Sequence, residues 1–225
     1  MFNWISKKTR QGVLLVLAVV FFIGGFKFFS EYLTFRKIIH NLKAESRMAE
    51  ALVVESSLDE YTRKYTTTIK FLEYDVHGKP LVPKYFTFKG NLIQFQTLVV
   101  RFDDKYIEQG HRMKGKSIVL FWKAFVLDGA NTQEFLITPL VEIPDGYRVG
   151  DPPNYFEREI WAKFWRYALD PDQRRSLGIK NAQVEAPGQV FVPGTIYTLM
   201  LEHDGGMRID TRPIPEILKN EKVLK

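Results

Sequence analysis

The sequence predicts a mainly β protein: an antiparallel β-sandwich or partly open barrel with one helical insertion, preceded by an N-terminal transmembrane helix and a juxtamembrane helix. Three observations predict it. One apolar run near the N-terminus is long enough to cross a bilayer. From about Thr66 the hydrophobic period changes from 3.6 to 2, in short runs separated by turn residues. One later segment, "NYFEREIWAKFWRYALDPDQRRSLGI" at residues 154–179, returns to the helical period.

The basic residues Lys7, Lys8 and Arg10 precede an apolar run over residues 12–26. Lys27 interrupts the run and Phe28 and Phe29 resume it. About 18 residues make roughly 27 Å of helix, close to the hydrocarbon thickness of a bilayer, provided Lys27 snorkels to the interface. Gly24 and Gly25 lead into "FKFF" with no A-x-A pattern, which favours an uncleaved anchor over a signal peptide. The compact basic cluster favours a cytoplasmic N-terminus, a single pass through the inner membrane and a domain outside the cytoplasm. The expected division is a basic tail at 1–11, the span at 12–29, the juxtamembrane helix at 30–60, a β-rich domain at 61–212 with its helical insertion at 155–178, and a tail at 213–225.

No Pro or Gly occurs from residue 30 to 60, and helix formers dominate. Phe28, Tyr32, Phe35, Ile39 and Leu42 repeat at spacings of 4, 3, 4 and 3, a seam that suits a coiled coil with a second copy or a protein partner. Extended forward, the series reaches Ser46, Ala49 and Val53.

In the β region, "TTTIKFLEYD" alternates up to a turn at His77-Gly78, and Ile93, Phe95, Thr97 and Val99 share one face of a strand. "KSIVLFWKAFVLDGANTQEFLITPLVEI" reads as a hairpin whose first strand is apolar on both faces and therefore central, with Pro139 marking an edge or a bulge. Asp204-Gly205-Gly206 marks another hairpin, and eight or nine strands are expected in all. In the helical segment, Asn154 caps and Glu157 follows at the third helical position. Ile160, Trp161, Ala162, Phe164, Trp165, Tyr167, Ala168 and Leu169 form an arc wider than half the wheel, opposite Glu159, Lys163 and Arg166. Glu157 and Arg158 interrupt the arc in the first turn, where a side chain reaches solvent. That pattern predicts a helix closing the core, followed by a short second helix from Asp170-Pro171.

The net charge of +6 invites a nucleic-acid reading, but its distribution argues against one. Residues 1–54 hold eight Lys/Arg and three Asp/Glu, while residues 55–225 hold 24 and 23. With no cysteine, disulfides, zinc thiolates and thiol nucleophiles are excluded. P-loop, GxGxxG, GxSxG and HExxH patterns are missing, and no two of the four histidines stand within four residues of each other. Neither a metal nor a cofactor is expected.

Two loops are candidates for ligand or partner contact. Asp103 and Asp104 open "DDKYIEQGHRMKGK", which also holds Glu108, His111 and Arg112; "IPDGYRVGDPPNY" holds Tyr147 and Arg148. The expected function is that of a membrane-anchored envelope interaction or scaffold module rather than an enzyme. Alternatives are an anchored hydrolase or carbohydrate-active enzyme using Asp103 and Asp104, and a barrel binding a lipid or small ligand. The plan of basic tail, single span, pairing seam and outer β-domain is similar to that of bacterial cell-division and envelope scaffold proteins.

Overall fold

A computed structural model describes residues 7–41, 48–102, 117–128, 131–174, 179–202 and 206–218. Helix α1 runs over Lys7–Asn41. Its segment Gln11–Ser30 has a mean hydropathy of 2.4, has none of its residues buried among the described residues, and is long and apolar enough to cross a membrane.

The juxtamembrane helix expected over 30–60 does not continue that far. Met48–Asp59 is strand β1. Its sequence, MAEALVVESSLD, is rich in helix formers, and tertiary pairing overrides that propensity. Ala49, Ala51 and Val53 alternate into the core, while Met48, Glu50 and Leu52 point out. β1 is a central strand with hydrogen-bonded neighbours on both sides.

The remaining strands are β2 (Lys64–Glu73), β3 (Lys84–Lys89), β4 (Leu92–Phe102), β5 (Ser117–Asp128), β6 (Asn131–Leu136), β7 (Ile179–Glu185), β8 (Gly188–Val190), β9 (Thr195–Leu201) and β10 (Met207–Pro213). They form two antiparallel sheets. The first has the order β10-β9-β1-β2-β3; the second has the order β6-β5-β4-β7, with β8 also on β4. The chain changes sheet between β3 and β4 at Gly90, whose φ is +136°. A Cβ there would meet Val126 Cγ1 at 3.0 Å, so both backbone and space call for glycine. β5 is central, as its two apolar faces predict, and the β5–β6 hairpin pairs Asp128 with Asn131. Pro139 lies beyond the end of edge strand β6.

Two cores result. The first joins both sheets: Ala49, Ile69, Phe71 and Leu199 from one, Ile93, Phe95, Val99 and Phe121 from the other. Phe71 stacks on Phe95 at 5.4 Å and meets the edge of Phe121 at 5.7 Å, and Phe86, Phe88, Phe135 and Phe191 extend the ring cluster. Rings therefore fill the apolar space that a ligand-binding barrel would keep open.

The second core lies on the other face of β4 and β5. There Leu98, Val100, Ile118 and Leu120 meet Trp161, Trp165 and Ala168 of helix α2 (Tyr155–Leu169). Asn154 caps α2, its Oδ1 accepting the Glu157 N–H at 2.8 Å, and Lys163 pairs with Glu159 at 2.7 Å. A short helix α3 (Pro171–Arg174) follows, with Asp170 Oδ1 accepting the Asp172 N–H. Glu157, expected to reach solvent, is instead fully buried. Its carboxylate accepts the backbone N–H groups of Val149 at 2.7 Å and Gly150 at 3.2 Å, tying the preceding loop to the helix.

Candidate functional site: a groove on the first sheet

Helix α2 covers the part of the second sheet's outer face formed by Leu98, Val100, Ile118 and Leu120. The corresponding face of the first sheet carries half-buried and exposed side chains, set out by register. Met48, Met200 and Arg208 form one row across β1, β9 and β10, and Glu50, Thr198 and Asp210 form the next. Met48, Met200, Glu50, Thr198 and Asp210 of these rows, with Thr211 and Arg212, line a shallow groove of about 350 Å³, and Arg208 stands beside it.

The groove's polar groups are held in place by one another. Glu50 Oε1 accepts Arg212 Nη2–H at 2.5 Å, and Oε2 accepts the Tyr74 hydroxyl at 2.7 Å. Burial first, and then the bond to Glu50, push the Tyr74 phenol up to about 12. Arg208 donates to Glu202 Oε1 at 3.3 Å, to Asp210 Oδ2 and to the Met200 sulfur at 3.2 Å. Glu202 and then Asp210 bind its proton more firmly than usual. Each arginine is thus matched by carboxylates, and the groove offers fixed donors and acceptors between methionine walls. It is not a cationic patch for a polyanion.

The residues singled out from sequence fall elsewhere. Asp103, Asp104, Glu108, His111 and Arg112 lie outside the described residues. Tyr147 is a core residue: its ring is buried, and its hydroxyl accepts Val119 N–H at 3.0 Å and donates to Val119 C=O at 3.2 Å. Arg148 is exposed and pairs with Asp145 at 2.8 Å, and Lys84 also approaches Asp145. Of the pairing residues, Phe28 is exposed on α1, Tyr32, Phe35 and Ile39 belong to the same helix, and Leu42 lies outside the described residues. Ala49 and Val53, later members of that seam, are sheet core. Among the described residues no three His, Cys, Asp or Glu side chains cluster in a way that would hold a metal ion.

Sequence reasoning missed the groove because Glu50 fell inside the segment read as helix. Alternation in "TIYTLMLEH" does mark Thr198 and Met200 as outward, but only the β1–β9–β10 register brings them beside Glu50 and Asp210. No family model, curated protein or solved structure matches the chain.

Proposed function

We propose that the chain is a single-pass inner-membrane protein that displays a β-sandwich outside the cytoplasm as an interaction or scaffold module for another envelope protein. The observation that carries the reading is the groove: the outer face of the first sheet presents matched polar groups and adaptable methionine walls. Such a lining suits a polypeptide segment, whose backbone and mixed side chains need both donors and acceptors. The shared phenylalanine core supports a sandwich of the two sheets, and α1 supplies the anchor. Pairing along Phe28, Tyr32, Phe35 and Ile39 would add self-association.

Thr198→Arg fills the groove with a charged side chain without touching the core. In affinity capture from membranes under mild detergent, the wild type is expected to retain a protein partner that Thr198→Arg loses, with both remaining in the membrane fraction. Equal capture by the two, or no partner for the wild type, would sink the proposal.

A further inference from the structure

The loop that follows β6 combines backbone strain with exposed apolar side chains. Val141 has φ +72°, a left-handed conformation that β-branched residues rarely adopt. Val141 is 59% exposed and its neighbour Leu140 46%. The loop is fastened on both sides. Ile137 and Thr138 donate to Trp122 O at 2.8 and 3.1 Å, Glu142 N–H reaches Pro139 O at 3.3 Å, and Glu142 O accepts the Trp165 indole N–H at 2.7 Å. A fixed scaffold can hold strain of this kind, which tends to gather at functional positions. Leu169, one turn beyond Trp165 on α2, adds a third partly exposed apolar side chain on that side.

What covers this tip is suggested by the anchor. Beyond Ser30, α1 continues through residues 31–41, about 16 Å of further helix. α1 and α2 approach within contact distance. α2 is thus a neighbour of the membrane-anchoring helix, and it carries Trp165, which holds the loop. We propose that the α2 side of the domain rests on the bilayer that α1 crosses, with Leu140 and Val141 seated at the headgroup–acyl boundary. The groove, on the outer face of the other sheet, then points away from the membrane. This deepens the anchored-module reading by fixing which face is turned to a partner.

The chain has no cysteine, so single reporters can be placed cleanly. Leu140→Cys and, as a second reporter, Leu169→Cys would carry an environment-sensitive fluorophore. Tyr61→Cys, at a position 97% exposed in the β1–β2 turn, is the water-facing control. The full chain is reconstituted in vesicles of phosphatidylcholine and phosphatidylglycerol. Nitroxide-bearing lipids are expected to quench the Leu140 and Leu169 reporters several-fold more than the Tyr61 reporter, and a water-soluble quencher to reverse the order. Equal quenching at all three positions would overturn the proposal. So would shielding of Leu140 that appears only in native membranes, because a protein would then be the cover. Either failure leaves the Thr198→Arg capture result standing. A chain that does not float with the vesicles would remove the anchor and both readings with it.

Discussion

A carboxylate taken out of water needs donors, and Glu157 finds them in two backbone N–H groups of the loop before its own helix. Glu157→Ala leaves both half-buried donors without their acceptor and is expected to cost about 2 kcal/mol. Glu157→Gln, which keeps one acceptor, should cost less; the denaturant midpoint of the full chain reads both. Tyr74 provides a pH signature at the groove. An unfolded tyrosine loses its proton near 10, whereas Tyr74 holds its proton to about 12. Between those values the unfolded chain binds fewer protons than the folded one, so this group's contribution to stability falls as pH rises from 10 to 12. The difference in tyrosinate absorbance between wild type and Tyr74→Phe should have its midpoint near 12. A midpoint near 10 would show the phenol to be free of burial and of Glu50.

At the scale of elements, β5 is longer than the strand beside it. β6 pairs only Lys123–Asp128 of β5. Past that point, the Tyr147 hydroxyl takes the N–H and C=O of Val119 in place of a neighbouring strand. Tyr147→Phe is expected to cost about 1–3 kcal/mol and to raise the exchange rate of the Val119 amide; an unchanged rate would mean that water serves Val119 equally well. Tyr147 was picked out from sequence because it sits among turn residues, yet its role depends on where β6 ends, which local sequence does not encode. Legibility elsewhere follows the same division. α2 was readable because its cap, ring arc and Glu159–Lys163 pair all lie within one turn or two of each other. The central place of β5 was readable from its two apolar faces. β1 was not, because Met48, Ala49, Glu50, Ala51 and Leu52 suit a helix and Ala49 and Val53 continue the seam of α1, and only pairing with β2 and β9 makes the segment a strand.

For the whole molecule, sequence was enough to mark one apolar helix and a β-rich remainder, because both depend on local periodicity. Which sheet face stays open depends on long-range register and on where α2 packs. The second sheet carries α2 on the part of its outer face formed by Leu98, Val100, Ile118 and Leu120, while the first presents half-buried Glu50 and Thr198 beside exposed Asp210 and Arg212. The central claim, that this open face holds the partner, is met most directly by photo-cross-linking in intact membranes. A photoreactive side chain at Thr198 would be compared with one at Tyr61 in the β1–β2 turn and one at Val184 on β7. A discrete cross-linked protein from Thr198, absent from the other two positions, is the predicted result; adducts of equal yield from all three, or none from Thr198, would contradict it.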